Sequence, residues 1–327
     1  MNFSLKTTKM LWGRAAGMCS MPGCRKQLFI DATETDDETL IGEMCHIVAD
    51  SGDGPRGKSE LTQEQRDKYG NLILLCRNHH REVDQQENKY TVDVLLEMKS
   101  SHEAWIRSRL STLDIERQRN DEIVSGYIDE WAKLSHLDEW ENWNSHVFGG
   151  GQPHLRTDVH DDLAKLRNWM LTRIWPSGYE SLSGAFENFR RVLSDFLEVF
   201  GEHAVARGPD QLETEKFYKL QWHEEEVYQR LFHQFDHHVD LVQDLMLEMT
   251  RAGNFLCEEV RRSLIPNFNL ESGYLTIMSG PHMDFTFRRQ VILYSEGEKS
   301  EKIPYPGLDK FLTVRVDRDL HFGSGPE

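Results

Sequence analysis

The sequence predicts an α+β protein with a metal-stapled α+β unit at its N-terminus, a mainly helical region after it, and a small antiparallel sheet at the end. Three observations predict this. Four of the five cysteines (Cys19, Cys24, Cys45, Cys76) fall in the first 80 residues, beside His79 and His80. Apolar residues from Tyr228 to Leu256 recur at three-and-four spacing, the period of a helix. After Pro266 the texture turns to short β-type runs, Tyr274 to Met278, Phe285 to Tyr294 and Phe311 to Val316, the last alternating apolar and polar side chains.

In chain order, the first unit spans residues 1–110. It contains two short apolar runs, Thr39 to Ala49 and Asn71 to Cys76, joined through a glycine-rich segment from Ser51 to Lys58, and it closes on a helical stretch from Val92 to Leu110. Residues 111–153 form a helical connector with Trp131, Trp140 and Trp143, ending in the linker signal Gly149 to Pro153. Residues 154–327 carry the helical pattern and the β tail. The Tyr228 to Leu256 helix fits the core of a bundle better than a dimeric coiled coil, because its repeat only just reaches coiled-coil length.

Composition narrows the function classes. At 327 residues and 38% hydrophobic content the chain can bury two cores, and no apolar run reaches the roughly 18 residues of a membrane span. No signal-peptide pattern follows Lys6, Lys9 and Arg14, so a cytoplasmic protein without a membrane partner is expected, and clustered cysteines there point to metal rather than disulfides. The net charge is −17, but residues 1–110 hold 15 Lys and Arg against 17 Asp and Glu. The acidic excess therefore belongs to the rest of the chain, which is poorly suited to bind DNA directly.

The chemistry centres on Cys76-Arg77-Asn78-His79-His80 and Asp84. If the segment is helical, Cys76 and His79 lie about 60° apart on one face, and His80 and Asp84 about 40° apart on another. Cys76 and His79 with the Cys19-x4-Cys24 knuckle make a Cys3His set, the ligand chemistry of a closed structural Zn2+ site. Pro22 and Gly23 suit the tight turn inside the knuckle. His80 and Asp84 remain for a harder catalytic ion, Mg2+ or Mn2+. The opposing run Glu43-Met44-Cys45-His46-Ile47 supplies a histidine that, by strand alternation, points away from Cys45 and Glu43. A neutral His46 there can take a proton from an attacking water.

Cys19-x4-Cys24, Glu43-x2-His46-Ile47 and Asn71-Leu-Ile-Leu-Leu-Cys76-x2-His79-His80-x3-Asp84, in that order, resemble the HNH (ββα-metal) endonuclease family. The stretches Gly42 to Asp50, Gly54 to Arg56 and Asn71 to Cys76 look closest to HNH domains of bacterial antiphage defence effectors. The resemblance covers about the first third of the chain and does not reach the C-terminal region. It implies that His46 is the general base, that Asn71 holds the loop and base in register, and that His80 is a metal ligand. It also implies Asp84 as a further ligand one turn on. Many HNH domains carry a carboxylate or histidine ligand immediately before the base; here that residue is Cys45, read as a spectator in preference to a ligand, because thiolate suits zinc better than magnesium.

Arg56 and Lys58 are candidate phosphate contacts, set among enough acids that a solvated loop is the competing reading. His233, His237 and His238 have no evident third ligand and read as a charged helix surface, while the three tryptophans read as packing anchors. The expectation is a metal-dependent DNA endonuclease acting in antiviral defence. Its acidic C-terminal domain would sense a trigger, bind a protein partner or drive homo-oligomerisation. The alternatives are a non-catalytic zinc-stapled DNA-binding or scaffold subunit and a restriction-type HNH enzyme.

Overall fold

The structure, a computed structural model, describes residues 3–32, 35–110, 112–149, 151–221, 225–280 and 285–318. It is α+β, and its strands form small antiparallel sheets. The chain separates into two compact units, Met1–Asp129 and Glu130–Glu327.

The first unit opens with α1 (Leu5–Arg14). The Ser4 hydroxyl caps its start by accepting from Thr7 N–H, and Asp129 accepts the Leu5 and Lys6 N–H groups at 2.7 and 2.8 Å. Both contacts satisfy donors that a helix N-terminus leaves unpaired. Next come β1 (Phe29–Ile30), β2 (Thr39–Leu40), β3 (Gly42–His46), the short α2 (Gln63–Arg66), β4 (Leu72–Cys76), α3 (Arg77–Gln85), α4 (Val92–Arg107) and α5 (Thr112–Leu134). β1 pairs with β2 and β3 with β4, both antiparallel, with His46 opposite Leu72 and Gly42 opposite Cys76.

The run Leu72 to Leu75 is apolar without alternation because α1, α3 and α4 all pack on β4, so all four side chains are buried. Leu11, Leu28, Cys45, Ile47, Val83 and Leu95 complete this core. Gly42 enters β3 where a Cβ would come within 2.9 Å of Trp12 and Leu28, so the strand can approach that closely only without a side chain.

The second unit contains α6 (Trp140–Phe148), β5 (His154–Arg156), α7 (Thr157–Leu171), α8 (Glu180–Glu202), β6 (Ala204–Ala206), β7 (Gln211–Thr214), α9 (Glu225–Ser263), β8 (Thr276–Ser279), β9 (Arg288–Val291), α10 (Glu296–Lys299) and α11 (Leu308–Arg318). α9 packs along α8 and is buried almost all round from Leu241 to Cys257, as a central core helix should be. Trp131, Trp140 and Trp143 are core side chains of this unit.

Three features depart from the sequence expectations. The division between units falls inside α5 and not at the glycine-rich segment 149–153, because α6 before that segment and β5 after it pack on each other, with Trp143, Val147 and Leu155 buried. A three-stranded sheet ordered β5-β7-β6 interrupts a region expected to be helical. The run Phe311 to Val316 is helix, not strand: it lies in α11, where Phe311 and Arg315, one turn apart, are the buried side chains. A helical face and a strand face both accept that short apolar pattern, and burial chose the period of four. The other two tail runs do pair, β8 against β9, with Thr276 opposite Val291. Among the described residues no helix is long and apolar enough to cross a membrane.

Candidate functional site

The knuckle is built by local backbone geometry. Cys19 N–H donates to Lys26 O, Cys24 N–H to Met21 O, and Met18 bridges to Gln27, which closes the loop on itself. Gly23 at φ +79° and Arg25 at φ +45° turn the chain through the left-handed region, where glycine at 23 avoids the Cβ penalty. Ser20 N–H donates to Leu74 O at 2.9 Å and so fastens the knuckle to β4, the strand that ends at Cys76.

Cys76 is not part of the helix, in contrast to the placement that its spacing from His79 suggests. It is extended and caps α3, and His79 is the third residue of that helix. A cap and the third helical residue face the same side, so the two still converge. The donor atoms of Cys19, Cys24, Cys76 and His79 all lie within 4.8 Å of one another. His79 Nδ1 is 3.5 Å from Cys19 Sγ and 3.2 Å from Cys76 Sγ, and Cys76 N–H points at Cys19 Sγ from 3.4 Å. Burial pushes the Cys19 thiol up to about 12. Three thiols packed together in this way are costly as thiolates unless a cation compensates them, and their donor set suits Zn2+.

The second group lies around α3 and β3. His80 Nε2 is 3.2 Å from Asp84 Oδ2, one turn along the helix, and His80 Nδ1 is 2.5 Å from Glu43 Oε2 on β3. Hydrogen bonding to Asp84, then to Glu43, raises the His80 pKa above the ordinary imidazole value against the opposing effect of burial. Burial pushes the Asp84 carboxyl up, but hydrogen bonds from His80 and Arg56 outweigh it and hold the group below the usual carboxylate range. Glu43 was expected only as a motif residue facing away from His46. Its pairing with His80 joins residues 37 apart and depends on the β3-β4 register, which no local spacing encodes.

Cys45 shares the Glu43 face of β3 but is 1% exposed and donates its S–H to Glu43 O at 3.3 Å. Burial, reinforced by the nearby Glu43 and Asp84 charges, holds its pKa well above the ordinary thiol value. It is placed as a neutral core thiol.

His46 occupies the opposite face of β3, with its ring 5.4 Å from that of Phe3 and its Nε2 3.0 Å from Asp67 Oδ1. Asp67 follows α2 and had no sequence signal, since the contact spans 21 residues of loop and helix. If Nε2–H donates to Asp67, Nδ1 is the basic nitrogen. His46, Asp50 and Asp67 also form a group with donor atoms within 4.8 Å of one another. Asn71 is buried and makes three side-chain hydrogen bonds: it donates to Val48 O at 2.8 Å and Arg66 O at 2.9 Å, and accepts from Val48 N–H at 2.9 Å. It ties the segment that follows His46 to the segment that carries Asp67.

The two candidate phosphate contacts separate. Arg56 turns inward, its side chain 5% exposed, donating to Ile47 O at 2.7 Å, Val83 O at 2.8 Å and Asp84 Oδ1 at 2.8 Å. Each guanidinium nitrogen is engaged within the unit, and two of these bonds go to Val83 and Asp84 of α3. Lys58 is exposed. The exposed cations beside His80 are instead Arg77 and Arg81, on the outer side of α3. The sequence carried that signal, since Arg77 and Arg81 are one turn apart and flank the histidine pair.

No family model and no curated protein matches this sequence.

Proposed function

We propose that the first unit is an HNH-type, ββα-metal DNA endonuclease that hydrolyses phosphodiester bonds. The observation that carries this reading is the division of labour on β3, β4 and α3. One face groups His80, Asp84 and Glu43, the other presents His46 on Asp67, and Asn71 holds the intervening loop. A Cys3His zinc at Cys19, Cys24, Cys76 and His79 would hold the knuckle against β4 and the start of α3, and so fix the position from which His80 projects.

Neutral His46, oriented through Nε2 by Asp67, takes the proton from the attacking water at Nδ1. Glu43 accepts the His80 Nδ1 proton, which leaves Nε2 beside Asp84 as a nitrogen-and-carboxylate pair for Mg2+ or Mn2+. When bound there, the divalent ion would neutralise charge on the scissile phosphate and the departing 3′ oxygen. Arg77 and Arg81, both exposed on α3, would supply contacts to backbone phosphates.

The acidic remainder of the chain opposes binding of DNA by isolated molecules. Activity is therefore proposed to depend on a partner or on self-assembly that presents the first unit to DNA, as suits a defence effector. A plasmid-nicking assay with Mg2+ or Mn2+, run with wild type, His46→Ala and an EDTA control, tests the reading. Nicking is expected only with wild type plus metal. Activity surviving His46→Ala would exclude His46 as the base, and none under any assembly condition would favour a zinc-stapled scaffold.

The group of His46 with Asp50 and Asp67 supports a second reading, in which His46 is a ligand instead of the base. Asp50→Asn separates them: a loss of Mn2+ affinity fits a ligand, and unchanged affinity fits a base.

A further inference from the structure

His238 lies on α9 with 6% of its surface exposed, and its buried Nε2 has no hydrogen-bond partner among the described residues. An imidazole nitrogen taken out of water and left unpaired costs stability unless something occupies it. The neighbours of His238 come from the end of α8. His203, the C-cap residue of that helix, has its ring edge-on to that of His238 at 4.7 Å between centroids. Glu202 is the last residue of α8. One donor atom from each of Glu202, His203 and His238 falls in a group with all separations within 4.8 Å.

We propose that these three residues bind a divalent metal of the zinc class, at a site separate from the N-terminal cysteine cluster. Two imidazole nitrogens and one carboxylate oxygen form a borderline donor set that suits Zn2+ and leaves a fourth position for water or another ligand. Tetrahedral zinc with bonds of about 2.0–2.1 Å brings its donors to roughly 3.4 Å of each other. Side-chain rotation at Glu202, which is exposed, brings its carboxylate oxygen to that separation without moving α9.

The surroundings favour a cation in two further ways. The group sits at the C-terminus of α8, the negative end of the helix dipole. His203 is fixed from outside the site, since its ring lies 4.2 Å from Phe217 and its carbonyl accepts Glu215 N–H at 2.8 Å. A metal here would tie the end of α8 to α9 beside the β6-β7 hairpin. The histidine-rich turn of α9 then has a purpose that the exposed His233 could not supply alone.

The test counts metal on the full chain. Protein stripped with a chelator is titrated with Zn2+ by calorimetry and with Co2+ by absorption, for wild type, His203→Ala and Glu202→Gln. His203→Ala is expected to bind one equivalent fewer than wild type, and Glu202→Gln to bind that equivalent more weakly by at least tenfold. The Co2+ absorption lost in His203→Ala is expected to lack thiolate-to-cobalt charge transfer, which separates it from the cysteine cluster. Glu202 is exposed, so Glu202→Gln does not confuse the count with misfolding; His203→Ala is checked by circular dichroism, and His238→Gln, checked in the same way, should show the same loss. An unchanged stoichiometry in His203→Ala, or a lost equivalent that carries the thiolate band, would overturn the proposal.

Discussion

His80 Nδ1 lies 2.5 Å from Glu43 Oε2 while its Nε2 lies 3.2 Å from Asp84, so a single imidazole spans a strand carboxylate and a carboxylate on its own helix. In the metal-free protein this makes His80 a favoured cation. Its raised pKa contributes stability that is complete below the ordinary value of 6.5 and is lost as pH rises through the folded-state value. The depressed Asp84 carboxyl works in the other sense, contributing above its ordinary 3.8 and losing that contribution as pH falls through its folded-state value.

The divalent ion proposed at His80 and Asp84 would have to displace the His80 proton, so Mn2+ should bind more tightly at pH 8 than at pH 6. Electron paramagnetic resonance of free Mn2+ measures this directly. Glu43→Gln should weaken that binding by roughly 10- to 100-fold, as loss of the partner that orients a ligating imidazole does. A pH-independent affinity would remove His80 from the ligand set.

Removal of the zinc proposed at the Cys19, Cys24, Cys76 and His79 cluster should unfold much of the first unit. Cys76→Ser strips one ligand from the cluster and should cost about 4 kcal/mol or more. Thermal melts should show the first unit's transition lowered by roughly 10 °C or more, with chelator acting on wild type in the same direction. The second unit's transition should persist, and a single unchanged melt would rule out a metal at this cluster.

Asn71 is the buried fastener of the loop after β3. Asn71→Ala leaves Val48 N–H, Val48 O and Arg66 O without it and should cost roughly 3 kcal/mol in chemical denaturation. Nicking by the folded fraction should fall as well, since the loop it releases leads directly from His46.

In the second unit, Arg315 on α11 donates through Nε to Asp244 on α9, and both side chains are 1% exposed. Removing one partner from a buried pair leaves an uncompensated charge, so Asp244→Asn should destabilise by about 3–5 kcal/mol. Asp244→Leu combined with Arg315→Met should cost less than Asp244→Asn alone, as a double-mutant cycle in urea would show.

Much of the candidate site was legible along the chain. The Cys19-x4-Cys24 knuckle, the His79-His80 pair and Asp84 one turn on are set by spacings within single loops or helices, where 100° per residue decides which side chains meet. The long α9 was legible for the same reason, since its 39 residues exceed the ambiguity of a short pattern. The six residues from Phe311 to Val316 were too few to distinguish a strand from a helix, and only the burial of Phe311 and Arg315 against the second unit's core resolved them.

Residue types and local periods thus settled which side chains could share a face and what donors they carried. Packing decided the rest: Asp67 beneath His46, Glu43 against His80, Arg56 turned into the unit, and His238 brought to Glu202 and His203. Each of these joins residues 21 or more apart or depends on which way a loop folds. Register and helix docking, not sequence spacing, set such distances, because they are fixed by which apolar surfaces the whole unit must bury.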